Sequence, residues 1–316
     1  VSQTKKSAQK ISVALPAMKL TILGCNGAIP AHGRYPTSQV LDTGHECILI
    51  DCGEGAQIQM QKYDIRSSRI KYIFISHMHG DHYFGLIGWL TTQALLGRMA
   101  SLTIFAPAAL QNIINMQLDY ALPYAVQFVD LQEGATQILL ETDNLQLLAF
   151  PVDHSVDTHG LRVTKKFKPR VVLPEQVQKY EIPHYFLNQL AEGKDYERND
   201  GSVVANELVT AAGKPSIIYT YSADTAFCES TILHAKGSNL LYHEATYSTE
   251  NIEKAIARKH STAAQAAEVA KQAAVKQLVI GHYSSSYQDT SILLEQASAI
   301  YEHVILASEG LVVEIA

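Results

Sequence analysis

Residues 71–88 read KYIFISHMHGDHYFGLIG. The opening run of β-branched and aromatic residues predicts a buried strand. That strand runs directly into His77-Met78-His79-Gly80-Asp81-His82. Successive side chains on an extended backbone point to opposite faces, so His77 and His79 share a face. Gly80 allows a tight turn, after which Asp81 and His82 can point back from the start of a helix. Imidazole and carboxylate are ligands that a borderline ion such as Zn²⁺ prefers. Three histidines and one aspartate exceed the share of one ion that keeps an open coordination position. The pattern therefore predicts two metals. Given 13 histidines in 316 residues, chance assembly of these four positions is on the order of one in a thousand.

Further ligands must come from distant segments. Asp153-His154 follows LQLLAFP (145–151), Asp224 follows IIYTYSA (217–223), and His282 follows QLVIG (277–281). Each lies just past a strand-like run, where α/β folds gather their chemistry. Asp224 is the natural bridge, because a carboxylate has two oxygens to share. His159, five positions beyond His154, competes with it for the same role.

Around these residues, strand-like runs at 18–24, 46–51, 71–75, 102–106, 137–140, 145–150, 216–221, 239–243, 277–280 and 303–307 alternate with amphipathic segments. The helical candidates are 54–63, 83–97, 107–119, 226–236, 250–259, 262–274 and 290–301. Both types run the whole length, which predicts an α/β architecture of sheets covered by helices, in a single domain over 18–316. Thr262 and Gln265 form a capping-box signature at one helix start. Residues 165–215 break the alternation and read as an inserted arm. Over 165–198 the chain holds seven Lys/Arg against five Asp/Glu, although its net charge is −6. The densest basic run, KKFKPR (165–170), makes Lys165, Lys166, Lys168 and Arg170 candidate RNA-binding residues. Residues 1–17 carry three lysines without an apolar core and read as a disordered leader or an expression remnant. No apolar run approaches the ~20 residues that span a bilayer. Cys25, Cys47, Cys52 and Cys228 form no CxxC pair, consistent with a reducing, cytoplasmic setting. An isoelectric point near 6.1 argues against generic nucleic-acid binding and leaves room for a local basic patch.

The chain resembles the metallo-β-lactamase superfamily through HMHGDH, His154, Asp224 and His282. More narrowly it is similar to the ribonuclease Z family, which processes the 3′ end of tRNA. The narrower likeness rests on Ile29-Pro30, YPTSQ (35–39), IDCGEGAQIQM (50–60), SHMHGDHYFGLIG (76–88) and DHSVDTHGLR (153–162). SADT (222–225), HEATY (243–247), HST (260–262) and GHYSSSY (281–287) complete it. The resemblance implies an αβ/βα sandwich of two facing mixed sheets flanked by helices. It implies two divalent ions, Zn²⁺ foremost, with His77, His79 and His154 on one, Asp81, His82 and His282 on the other, and Asp224 bridging. It implies catalytic roles for Asp81, Glu244 and His260, precursor tRNA as substrate, and a homodimer. The arm departs from the family in reading EIPHYFLNQ (181–189) where a Gly-Pro-rich tip is usual. The rival readings are another hydrolase on the same fold, such as a small phosphodiesterase or arylsulfatase-like enzyme, and a non-catalytic RNA-binding relative.

Overall fold

A computed structural model describes residues 18–118 and 120–316; the leader expected over 1–17 lies outside them. Strands whose two faces are both covered read as near-continuous apolar runs, and the central strands do so. Seven strands build the first sheet: β1 (Met18–Gly24), β2 (Ser38–Asp42), β3 (Cys47–Cys52), β4 (Ile70–Phe74), β5 (Leu102–Ala106), β6 (Val126–Asp130) and the C-terminal β18 (Val312–Ile315). Their order is β18-β1-β2-β3-β4-β5-β6. Pairing is antiparallel as far as β3 and parallel from β3 to β6.

The second sheet holds β7 (Gln137–Glu141), β8 (Leu145–Pro151), β9 (His159–Lys165), β14 (Ile217–Tyr221), β15 (Leu240–Glu244), β16 (Leu278–Gly281) and β17 (Val304–Leu306), in the order β17-β16-β15-β14-β9-β8-β7. It repeats the scheme, with β14 to β17 parallel and β7, β8, β9 and β14 antiparallel. Period-two alternation divides the apolar residues between layers. Ile48, Ile50, Tyr72 and Phe74 join the cluster that includes Leu147, Leu161, Tyr219 and Tyr221 of the second sheet. Leu49, Ile73 and Ile75 turn the other way, toward Met60, Leu86, Trp89 and Leu110. The covering helices are α1 (Ala56–Lys62), α2 (Gly80–Tyr83), α3 (Leu86–Leu95) and α4 (Ala109–Gln117) on the first side. On the second side they are α8 (Glu229–Ala235), α9 (Ile252–Arg258), α10 (Ala263–Gln272) and α11 (Ser291–Ser298). In α10 the alanines at 263, 266, 267 and 270 form a buried stripe, and Thr262 with Gln265 makes the capping box that its sequence predicts.

The αβ/βα sandwich implied by the resemblance is therefore the observed fold. Sequence patterning missed β2, β6, β9 and β18, whose runs SQVLD, VQFVD, HGLRVTK and VVEI mix polar residues into short segments. The single helix expected over 83–97 is broken at Phe84–Gly85. There the chain passes so close to β3 that a Cβ on Gly85 would lie 2.2 Å from the Gly53 carbonyl oxygen.

Between β9 and β14 the chain leaves the sandwich. β10 (Arg170–Val172) pairs with β13 (Thr210–Ala212) as a stem, and α5 (Pro174–Lys179), α6 (Leu187–Ala191), the hairpin β11 (Tyr196–Glu197)–β12 (Val203–Val204) and α7 (Asn206–Val209) lie beyond it. This segment has its own small core of Ile182, Leu190, Val204 and Val209.

Candidate metal centre

The C-terminal ends of the parallel strands β4, β14, β15 and β16, with the loop after β8, converge at one edge of the sandwich. His77, His79, His154 and Asp224 there place one potential ligand atom each within 4.8 Å of one another, and Asp81, His82 and His282 do the same. His79 Nδ1 lies 3.0 Å from His77 Nε2 and 3.3 Å from His154 Nε2. Asp81 Oδ2 lies 3.5 Å from both His82 Nε2 and His282 Nε2. Asp224 Oδ2 stands between the groups, 3.2 Å from His282, 3.3 Å from His82, 3.8 Å from His77 and 4.0 Å from His154. Ligands ~2.0–2.1 Å from a tetrahedral ion sit about 3.3–3.4 Å apart, so these spacings fit coordination. His159 takes no part. Its Nε2 bonds the Gln132 carbonyl at 3.0 Å and its Nδ1 faces Asp157 at 3.7 Å, which leaves His154 as the histidine of this loop at the centre.

Further groups fix which nitrogen each ring presents. Asp51, fully buried at the end of β3, accepts from His82 Nδ1 (2.7 Å), Tyr221 Oη (2.5 Å), the Ser76 amide (2.8 Å) and Ser76 Oγ (3.0 Å). The Lys259 carbonyl takes the His154 Nδ1 proton at 2.9 Å, and Thr246 Oγ1 lies 2.9 Å from His282 Nδ1. For His82 and His154, whose Nδ1 partners can only accept, the pinned Nδ1–H turns Nε2 inward. His82 Nε2 and His282 Nε2 are buried and make no hydrogen bond. Buried orphan nitrogens facing carboxylates are what a cation would satisfy, so the residues fit the group that the sequence implies.

Electrostatics agree. Burial holds His77, His79 and His154 below the usual imidazole range. Burial also opposes charge on His82, but Asp224, Asp81 and Asp51 outweigh it and drive its pKa well above the ordinary value. The same carboxylates would welcome a metal cation in place of that proton. Despite burial, Asp81 and Asp224 are held below the carboxylate range by surrounding histidines. The Ala28 amide adds a 2.7 Å bond to Asp81 Oδ2. Beside the centre, Glu244 Oε1 bonds His260 Nδ1 at 2.8 Å. Burial disfavours the His260 cation, yet Glu244 more than compensates and pushes its pKa up to about 9.

The basic run does not join this edge. β9 leads away from it for seven residues, about 20 Å at strand rise. Lys165 is a correction to the RNA-binding set: it is only 4% exposed and its Nζ donates to the Thr43 carbonyl at 2.6 Å. Lys166 pairs with Glu141, Lys168 with Glu192 at 3.3 Å, and Arg170 Nε with Thr210 Oγ1 at 2.9 Å.

Asp51, Ser76, Lys259, Ala28 and Thr246 carry roles that sequence reasoning did not assign. The one signal available was an acid closing the apolar run ILID in IDCGEG (50–55).

Comparison with known proteins places the chain as a whole. A family model described as Anti-Pycsar protein Apyc1 matches residues 18–166, under half of the chain. Human tRNase Z, short form, superposes with a TM-score of 0.67 at 24% identity, covering 94% of this chain and 99% of that one. The metallo-β-lactamase fold protein YhfI of Bacillus subtilis gives the same TM-score and coverage at 19% identity. Both show the fold. A protein of Bacteroides fragilis named Ribonuclease Z is 39% identical over 300 residues, 94% of this chain and 99% of its own length. By that likeness over nearly its full length, the chain belongs to the ribonuclease Z family.

Proposed function

We propose that the protein is a binuclear metal-dependent endoribonuclease that hydrolyses precursor tRNA on the 3′ side of the tRNA body. The products are a 3′-hydroxyl on the tRNA and a 5′-phosphate on the trailer. The observation that carries this reading is the pair of ligand sets meeting at Asp224 in a ribonuclease Z-family chain. His77, His79 and His154 would hold one divalent ion, Asp81, His82 and His282 the other, with Asp224 shared. Zn²⁺ suits the donor set. When bound, such a pair supplies Lewis acidity to the phosphate oxygens and a water acidic enough to ionise near neutral pH.

The chain's own groups handle protons. Asp81, held ionised by its histidine neighbours and the Ala28 amide, accepts a hydrogen bond from the attacking water and orients it, and the proton that the water loses passes to solvent. As the P–O3′ bond breaks, His260 delivers a proton to the departing 3′ oxygen, with Glu244 keeping the ring charged and oriented. Glu244 is buried and His260 is partly buried beside the centre, so the pair needs little reorganisation.

Substrate size fits the distance between the centre and the arm. Lys166, Lys168, Arg170 and Lys214 line a cavity of about 260 Å³ at the arm root, roughly 20 Å along β9 from the centre. A tRNA can touch both places, and a small phosphodiester can touch only one. A homodimer is supported by apolar side chains displayed on α3, α4 and the turns after them, among them Leu95 (89% exposed), Leu96, Met99 and Met116 (85%). A cytoplasmic location is supported by four free cysteines. Among the described residues no helix is long and apolar enough to cross a membrane.

Incubation with a precursor tRNA and, separately, a small phosphodiester, with the ions removed and restored, tests the reading. Cleavage at the 3′ end only with metal present is expected. Hydrolysis of the small ester alone would make the protein a phosphodiesterase on this fold. Inertness toward both, with less than one ion per chain, would make it a non-catalytic relative.

A further inference from the structure

We infer that Thr246 is a positioning residue whose hydroxyl couples His282 to Glu244, fixing the metal-facing nitrogen of the one and the proton-donor partner of the other. Thr246 follows β15, and its hydroxyl is buried among four polar atoms, the farthest being His260 Nδ1 at 3.4 Å. Oγ1 lies 2.6 Å from Glu244 Oε2, 2.9 Å from His282 Nδ1 and 3.0 Å from the His282 carbonyl oxygen. A hydroxyl offers one proton and two lone pairs, so these contacts cannot all be donations.

The assignment follows by elimination. Glu244 Oε1 receives the His260 ring and the Thr225 amide at 2.8 Å each, while Oε2 faces the Thr246 amide at 3.3 Å. A carboxylate collecting donors on both oxygens is ionised and can only accept. The shortest, charge-assisted contact therefore takes the threonine proton. Thr246 Oγ1 can then serve His282 Nδ1 only as an acceptor. That places the imidazole proton on Nδ1 and leaves Nε2, buried and without a hydrogen bond, facing Asp224 and Asp81.

Other freedoms of His282 are already restricted. Its backbone is left-handed at φ 58°. Its ring packs so tightly on the 26–29 loop that a Cβ on Gly27 would fall 2.6 Å from Cε1. What remains open is which nitrogen carries the proton, and Thr246 closes that choice. The same hydroxyl holds the carboxylate that orients His260. One side chain thus links ion holding to proton delivery.

The inference rests on the two-ion reading, and the experiment separates the two. Zn²⁺ content is measured against a chelator buffer for the wild type, Thr246→Val, Thr246→Ala and Thr246→Ser, together with turnover of a small phosphodiester. At free Zn²⁺ where the wild type holds two ions, both hydroxyl-free variants should keep about one. Affinity for the second ion should fall ~10–100-fold, the usual consequence of losing a group that orients a ligand. Turnover should fall in step with KM little changed, and Thr246→Ser should restore both quantities. The alanine variant answers the question if the valine variant does not fold. Two ions at wild-type affinity in either hydroxyl-free variant would overturn the inference, as would a serine variant as impaired as valine. A wild type that never binds a second ion would instead sink the two-ion reading.

Discussion

Strand β9 has two ends, and they treat polar groups in opposite ways. At the His159 end the sandwich buries a crowd of histidines and carboxylates, and two inward nitrogens make no hydrogen bond. At the Lys165 end the basic side chains of the arm root engage partners within the chain: Thr43, Glu141, Glu192 and Thr210. Burying polar groups without mutual satisfaction costs several kcal/mol. It persists where a ligand completes the set. The surface ion pairs among them, Lys166–Glu141 and Lys168–Glu192, are weak and leave their cations free to engage another anion. The difference separates a site built around ions from a surface that can at most lend charge to a large substrate.

The sharpest way to break that contrast is at its strongest end. His79→Ala should nearly abolish metal loading and hydrolysis of every substrate, since His79 Nδ1 closes the triangle with His77 and His154. Metal analysis with an activity assay decides it, and full activity at wild-type ion content would contradict the assignment. One step outward, His260→Ala should keep both ions and lower turnover by ~10²–10⁴. An unaltered turnover would reduce His260 to a residue preceding a capped helix.

Farther from the ions, Asp51→Asn should weaken metal affinity ~10–100-fold. An amide cannot replace both oxygens that receive His82, Ser76 and Tyr221. A chelator titration reads this directly, and unchanged affinity would make Asp51 a core anchor only. Asp51 also marks where sequence reading stops. HMHGDH was legible because it sits on one strand–turn–helix, where local geometry decides what faces what. The sandwich was legible as a resemblance, supported by apolar runs that need cover on both faces. Asp51 lies 31 positions from His82 and Thr246 lies 36 from His282. Such partnerships depend on which strands pair side by side within a sheet, β3 with β4 and β15 with β16, which no local pattern records. Left-handed backbone at Ala28, Asp51, Ala223, Lys259 and His282 is likewise invisible in a one-dimensional pattern. Each such residue costs of order 1–3 kcal/mol, and these five border the centre. Lys165 failed for the complementary reason. KKFKPR reads as one basic stretch, but a strand ends at Lys165, and that end packs against Thr43.

That last distinction gives the mildest test, inside one run of sequence. Replacing Lys166, Lys168 and Arg170 together by glutamine should leave both ions and small-ester hydrolysis intact, because these side chains lie a strand's length from the centre. Binding of precursor tRNA should weaken at low salt. Its salt dependence should flatten by ~0.7–0.9 in slope for each phosphate no longer neutralised, since fewer counterions are released. Lys165→Met should behave differently: the Thr43 carbonyl loses its buried donor, a cost of about 1–3 kcal/mol in stability, and the salt slope stays as in the wild type. Fluorescence-detected RNA binding over a salt series, with thermal denaturation of each variant, measures both quantities. A triple variant with the wild-type slope would show that the basic face only solvates the arm. A Lys165 variant with normal stability and a flattened slope would mean that this ammonium reaches RNA after all, and that the two ends of β9 differ less than their hydrogen bonds indicate.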